Sequence, residues 1–353
     1  MKAPGFWWTD SAGPRWLAWA LRPAGALVCS LARRRLNRAA QGIGVQRLPV
    51  PVVVIGNLTA GGAGKSPLVM ALVERLVAAG HAPGVIARGY GVRWRRDASP
   101  RLVTSSTSAR DCGDEPLMIA RRTGAPVCVH PDRVRAAEAL LAAHAAVDVI
   151  VSDDGLQHHA LGRDFEVVVI DRLRGFGNGR CLPAGPMRES PDRLALVDAV
   201  VMNTPVRGEL PPPDPRVQRH LAARRSGLGH MQLIPRGFVH VGTGAPLAVD
   251  RLPGRTVHAV AGIADPQRFF RMLDQLGLNV VPHPLDDHAA APAHLLRALD
   301  KPGTLVVMTE KDAVKWPPVS PNQPHYYLKI DTHLDGDWID ILLARLADSR
   351  RQA

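Results

Sequence analysis

The apolar positions of this chain change period repeatedly. Short β-branched runs alternate with stretches in which apolar residues recur every three or four positions, a pattern that predicts alternating strands and helices. Val52 to Ile55 is the first strand run. Leu68, Leu72, Val73 and Leu76 then follow helical spacing up to Gly80, a C-terminal stop. Further strands are expected at Gly84–Ala87, Val127–Val129, Val147–Val151, Glu166–Ile170 and Ala199–Asn203, and helices at Leu117–Thr123 and Asp132–His144. Such alternation predicts an α/β fold with a doubly wound, mostly parallel sheet. The Pro-rich segment Leu210–Pro215 and the polar segment Arg224–His230 loosen the pattern, and Leu233–Val241 resumes as extended chain. Strands at Thr256–Ala261, Leu278–Pro282 and Thr304–Thr309, with helices at Pro266–Leu276 and Ala293–Leu299, predict a second, smaller α/β domain. The expected division is 51–230 and 231–353, with 1–50 attached to the first domain.

Residues 1–50 have a different texture. Trp7, Trp8, Trp16 and Trp19 precede an apolar run, Ala24–Ala32, and then Arg33, Arg34, Arg35 and Arg38. The charge follows the apolar run where a signal peptide would place it before. Arg22 and Pro23 leave the run short of the ~20 residues a spanning helix needs. Indole rings beside an apolar helix with a basic flank suit the interface of an anionic membrane; a helix packed on its own domain is the alternative. The chain of 353 residues has 44 Lys and Arg against 32 Asp and Glu, a formal charge of +12, which points to anionic partners. Nucleic acid is disfavoured, because the basic residues are scattered and no helix-turn-helix, RNP or zinc pattern occurs. Cys29, Cys112, Cys128 and Cys181 are widely spaced and are expected as buried thiols of a reducing compartment.

The chemistry concentrates at strand ends. Between the first strand and its helix lie Thr59, Ala60, Gly61, Gly62, Ala63, Gly64, Lys65 and Ser66. Glycines let backbone N–H groups converge on phosphate oxygens at a helix N-terminus. In such a loop Lys65 reaches the β- and γ-phosphates and Ser66 ligates Mg²⁺. The usual G-x-x-x-x-G-K-[ST] pattern has glycine where this chain has Thr59, so the loop is a variant. The Val147–Val151 strand runs into Asp153 and Asp154, carboxylates suited to a Mg²⁺ shell. Arg88-Gly89-Tyr90-Gly91 stands where parallel sheets bind ligands. Asp114, in Gly113-Asp114-Glu115-Pro116, reads equally as a helix N-cap and as a functional carboxylate. The loop Gly175–Glu189 is long for a connection, and its Arg180 and Arg188 are candidate phosphate contacts. Asp286-Asp287-His288 and Glu310-Lys311-Asp312 are the places to look for residues of the second domain that face the first.

Taken together, Gly56–Pro67, Arg88–Gly91, Gly113–Pro116, Asp153-Asp154-Gly155-Leu156-Gln157-His158, Leu182-Pro183-Ala184-Gly185-Pro186, Asp287-His288 and Thr309–Asp312 resemble, in order, the tetraacyldisaccharide 4′-kinases of lipid A biosynthesis. In that family the missing glycine at Thr59 is normal. The resemblance implies transfer of the ATP γ-phosphate to the 4′-hydroxyl of lipid A disaccharide 1-phosphate, with Mg²⁺, at the cytoplasmic face of the inner membrane. It also implies a P-loop kinase domain at 51–230, a site between two α/β domains, and an N-terminal helix that meets the membrane. By residue, it implies Asp114 as base with His288 as its partner, Lys65 and the loop amides on phosphate, and Ser66, Glu115, Asp153 and Asp154 around Mg²⁺. Tyr90, Arg180 and Arg188 are expected as substrate or phosphate contacts. Ala289, Ala290 and Ala291 depart from the family's His or aromatic residues after the Asp-His pair. A P-loop switch ATPase without a sugar substrate is the rival reading; it leaves the tryptophans unexplained.

Overall fold

The computed structural model describes residues 4–8, 15–95, 97–104, 106–204, 212–222, 224 and 227–352. Leu210 and Pro211 of the Pro-rich segment, and 225–226 of the polar one, lie outside the described residues. Two helices come first, α1 (Arg15–Ala20) and α2 (Arg22–Ala40). The first half then runs β1 (Val52–Gly56), α3 (Lys65–Ala78), β2 (Pro83–Ala87), β3 (Arg101–Leu102), α4 (Ala109–Cys112), α5 (Asp114–Thr123), β4 (Val127–Val129), α6 (Arg133–Ala143), β5 (Val149–Asp153), β6 (Phe165–Asp171), β7 (Ala199–Asn203) and α7 (Pro215–Ala222). The second half runs β8 (Leu228–His240), β9 (Pro246–Leu247), β10 (Thr256–Ala261), α8 (Pro266–Gln275), β11 (Asn279–Pro284), α9 (Ala293–Leu299), β12 (Val306–Thr309), α10 (Glu310–Ala313), β13 (His325–Gly336) and α11 (Trp338–Gln352).

All the strands join one sheet, in the order β11-β10-β12-β13-β8-β7-β6-β1-β5-β2-β4-β3, with β9 pairing β8 at the side. From β4 to β8 the neighbours are parallel, as the strand–helix alternation requires. β13, β12, β10 and β11 form a second parallel block. The antiparallel pair β8/β13 joins the two. The division expected near residue 230 thus falls within β8, the strand shared between the halves. β1 is buried at every position, which a run of valines and isoleucine flanked by two strands and covered on both faces demands. Leu68, Val69, Leu72, Val73 and Leu76 bury one face of α3 against it. Each such side chain contributes ~1.5–3 kcal/mol.

Several expectations need correction. The polar stretch near Arg224–His230 is partly strand, since β8 begins at Leu228. β13 and α11 carried no prediction; β13 alternates Lys329, Asp331, His333 and Asp335 with Leu328, Ile330, Thr332 and Leu334 and lacks a continuous apolar run. The four cysteines are not all thiols: Cys29 and Cys181 form a disulfide that ties α2 to the loop after β6 across 152 positions, and only Cys112 and Cys128 are buried free thiols. Burial pushes both of those thiols up to about 11. The early tryptophans divide into two groups. Trp7 donates to Pro183 O and Trp8 lies under the Arg174 guanidinium, whereas Trp16 and Trp19 are 69% and 68% exposed. Among the described residues no helix is long and apolar enough to cross a membrane.

Candidate active site

The register of the sheet builds the site. Ile55 of β1 pairs with Asp153 of β5, so the glycine loop leaves the sheet beside that aspartate. Gly64, at φ +97°, turns the chain into α3; a Cβ there would stand 2.4 Å from Asn203 Nδ2 and 2.9 Å from Met231 Cε. Only glycine meets both demands. Asn203 in turn donates to Ala63 O at 2.9 Å and accepts from Arg268 of α8 at 2.9 Å, so the second half touches the loop. Asn57 braces the loop from inside, donating to Thr59 O at 2.7 Å and accepting from Lys65 Nζ at 3.1 Å. Gly61 and Gly62 are exposed at the loop's tip, and Ser66 is buried at the start of α3. Not every expected amide is free: Ala60 N–H is donated to Pro186 O at 2.7 Å.

A polar chain continues from Lys65. Its ammonium lies 3.5 Å from Asp154, which accepts from Arg188 at 2.9 and 3.2 Å; Arg188 also donates to Gln157 at 3.2 Å. Gln157 donates to Glu189 at 2.7 Å. Burial opposes ionisation of Asp154, yet Lys65 and Arg188 outweigh it and hold the carboxyl below its usual range. At Asp153 the opposing cations, Lys65 and Arg133, are too weak to win. Burial, then Glu115 and Asp154, push its carboxyl well up, and its Oδ1 is buried without a hydrogen-bond partner. The expected Mg²⁺ set of Ser66, Glu115, Asp153 and Asp154 is not gathered into a cage. Among the described residues no group of three or more His, Cys, Asp or Glu side chains is placed to hold a metal. Glu115 leans away toward Lys311 at 3.1 Å, and Asp154 is held by cations.

The second half supplies the rest. His288 Nδ1 lies 2.9 and 3.2 Å from the two Asp114 oxygens. Asp114 is the first residue of α5 rather than its N-cap, which is Gly113; its Oδ1 accepts from Glu115 N–H at 2.9 Å. Lys315 stands 3.3 Å from Asp114 Oδ2 and Lys311 stands 4.0 Å from it. Burial resists ionisation here too, but the His288 hydrogen bond, Lys311 and Lys315 hold the carboxyl far below its usual range. The Tyr90 ring lies 4.6 Å from that of His288. Arg180 is held through its backbone, its N–H donating to Asn178 Oδ1 at 3.1 Å and its carbonyl accepting from Met187 N–H at 3.0 Å. Asp154 (φ 49°) and His288 (φ 64°) are the non-glycine residues with positive φ among those described. Strain of this kind persists where surrounding contacts over-determine it, and both positions belong to this cleft.

Asn57, Gln157, Glu189, Lys311 and Lys315 were not foreseen as site residues by role. Asn57, Gln157 and Lys311 stood inside motifs already singled out and Glu189 closes the Gly175–Glu189 loop, so position signalled them but their partners did not; Lys315 had no such signal.

A family model described as tetraacyldisaccharide-1-P 4′-kinase matches residues 17–347. A tetraacyldisaccharide 4′-kinase of Alkalilimnicola ehrlichii is 47% identical, over 98% of this chain and 97% of the relative. One from Azotobacter vinelandii is 45% identical, over 93% and 94%. A crystal structure of LpxK from Aquifex aeolicus, in complex with ATP, superposes with a TM-score of 0.74 at 23% identity, covering 94% of this chain and 99% of that one, so the fold is shared. By sequence over nearly its whole length, the chain belongs to the tetraacyldisaccharide 4′-kinase family.

Proposed function

We propose that this chain transfers the γ-phosphoryl group of ATP to the 4′-hydroxyl of a tetraacylated glucosamine disaccharide 1-phosphate, giving lipid IV-A. The observation that carries the reading at residue level is the Asp114–His288 pair, 2.9 Å apart, assembled from the two halves beside the Gly-Lys-Ser loop. Oδ2 of Asp114 meets the Lys315 and Lys311 ammoniums at 3.3 and 4.0 Å and, more loosely than Oδ1, His288 Nδ1 at 3.2 Å; a carboxylate oxygen can still accept from a sugar hydroxyl there. Phosphoryl transfer is loose, with little bond making before the metaphosphate-like stage, so the proton leaves the hydroxyl late. An ionised carboxylate first orients that hydroxyl and then takes its proton as the new O–P bond forms. Lys65 neutralises the phosphate oxygens once it leaves Asn57 and Asp154, and the glycine-loop amides add their dipoles. Arg188 is placed to meet phosphate from the other side, and Tyr90 to meet the sugar.

Asp153 and Ser66 would hold Mg²⁺, which would supply positive charge to neutralise the nucleotide phosphates. The support is chemical: a buried carboxylate with an unpartnered oxygen, its negative charge compounded by Glu115 and Asp154, is relieved by a cation. Glu115 and Asp154 serve through water or after releasing their present partners. The reading treats 51–230 and 231–353 as two domains that meet at this cleft. It also assigns Trp16, Trp19, Leu27 and Leu31, all exposed, to the cytoplasmic surface of the inner membrane, with the α2 arginines on anionic lipid. Label transfer from γ-labelled ATP to lipid A disaccharide 1-phosphate, in detergent with Mg²⁺, is the test. Labelled lipid is expected. ATP hydrolysis without labelled lipid would replace this reading with that of a switch ATPase.

A further inference from the structure

Lys311 sits on α10, a helix of four residues that directly follows β12, and is only 8% exposed. Its Nζ lies 2.9 Å from Asp287 Oδ1, 3.1 Å from Glu115 Oε1 and 3.4 Å from His288 Nε2. An ammonium has three N–H donors and no acceptor, so all three contacts are donations. Burial disfavours the charge, but Glu115, Asp114 and Asp287 outweigh it and keep Lys311 protonated. His288 Nε2 must then carry a lone pair. The ring proton is left on Nδ1, where it points at Asp114 Oδ1, 2.9 Å away. Which imidazole nitrogen holds the proton is set by what the other one meets.

We propose that Lys311 is a positioning residue of the kinase reaction, fixing His288 as the Nδ1–H tautomer that donates to Asp114. The proposal rests on reading Asp114 and His288 as the pair that activates the hydroxyl. Both ring nitrogens and one face are occupied: Asp114 at Nδ1, Lys311 and, at 3.7 Å, Asp287 at Nε2, and the Tyr90 ring at 4.6 Å. Its backbone N–H is held by Gly262 O at 3.3 Å. With the ammonium donating to Nε2, the lone pair of that nitrogen is engaged and the ring proton stays on Nδ1. The proton taken from the sugar hydroxyl therefore remains on Asp114 and does not pass through the histidine to solvent. Lys311 also joins Glu115 of the first half to Asp287 of the second, so the tautomer is fixed when the two halves meet. Lys315 provides the contrast, because it touches Asp114 Oδ2, Asp312 and Ala289 O but makes no contact with the ring.

The test is ¹⁵N NMR of the full chain labelled at histidine, with the His288 signals assigned by their loss in His288→Gln. Wild type should show a protonated Nδ1 and an unprotonated Nε2 at neutral pH. In Lys311→Met the Nε2 signal should move to the protonated range, while in Lys315→Met it should stay. Lys311→Met should also lower kcat by about tenfold or more with KM for ATP within about twofold. A protonated Nε2 in wild type overturns the proposal, even if Lys311→Met fails to fold. Equal movement of the His288 signals in both lysine variants also overturns it, because the effect would then be general electrostatics. If instead the wild-type tautomer is as expected but Asp114→Asn retains full turnover, the base assignment fails and the tautomer assignment stands.

Discussion

Replacing Asp114 by Asn removes the acid–base function proposed for it with almost no change in volume. The side chain is buried, and the amide oxygen can still accept from Glu115 N–H, so α5 should keep its first turn. What disappears is the negative charge that Lys315 faces at 3.3 Å and Lys311 at 4.0 Å, together with the basicity the hydroxyl needs. Loss of a positioned base costs about 10²–10⁴ in turnover, or about 3–5 kcal/mol in the barrier at ~1.4 kcal/mol per tenfold. Stability should fall less. Stripping a partner from a buried charge costs ~3–5 kcal/mol, but Lys311 keeps Glu115 and Asp287 and Lys315 keeps Asp312, so about 1–3 kcal/mol is expected. The sign with pH follows from the depressed carboxyl of Asp114. Its stabilisation is complete above the unfolded value near pH ~4 and is lost as pH falls further, so the gap between wild type and variant should close in acid. Label transfer measures the rate, nucleotide titration the retained ATP affinity, and urea unfolding at pH 7 and in acid the stability. A loss of turnover under about tenfold would remove Asp114 as base, and an unchanged unfolding free energy at pH 7 would refute the electrostatic account.

Three further outcomes are expected. Trp16→Ser with Trp19→Ser should weaken sedimentation with anionic vesicles while leaving turnover in detergent nearly unchanged; unaltered sedimentation would sink the membrane role of α1. Glu166 is buried between Arg193 and Arg163, and although burial raises its carboxyl, those guanidiniums win and hold it below the usual range. Glu166→Gln should therefore cost ~3–5 kcal/mol at pH 7, a difference that shrinks once pH drops below about 4.5, and parallel acid-unfolding curves would contradict this. Alkylation of the denatured, unreduced protein should mark two cysteines, Cys112 and Cys128, and all four after reduction, as read by mass; four marks without reductant would disprove the Cys29–Cys181 bond.

What the sequence made legible was local. The glycine loop is one contiguous strand-turn-helix, so spacing alone identifies Lys65 and Ser66. Asp153 announces itself by ending an apolar run, and the pairing of Ile55 with Asp153 puts the two signals side by side. His288 could be tied to Asp114 only through resemblance, since 174 positions separate them. The disulfide was illegible for the same reason, as cysteine spacing says nothing about which ends meet.

The unread part of the site consists of answers to charges. Asp114, Glu115 and Asp287 gather at the junction of the halves, and a charge as buried as that of Asp114 is held only if cations are buried beside it. Lys311 and Lys315 lie far along the chain from the first-half carboxylates they meet: Glu115 is 196 positions from Lys311, and no local pattern states that both point into one cleft. The same logic separates the two aspartates that adjoin in sequence. Asp154, with a left-handed backbone, turns out toward Lys65 and Arg188, whereas Asp153 stays inside the sheet with one oxygen unpartnered. Neighbouring carboxylates thus acquire opposite electrostatic character from the direction of a single peptide. One is matched by the protein's own cations, and the other keeps an unpartnered oxygen and a carboxyl pushed up by burial and by its acidic neighbours.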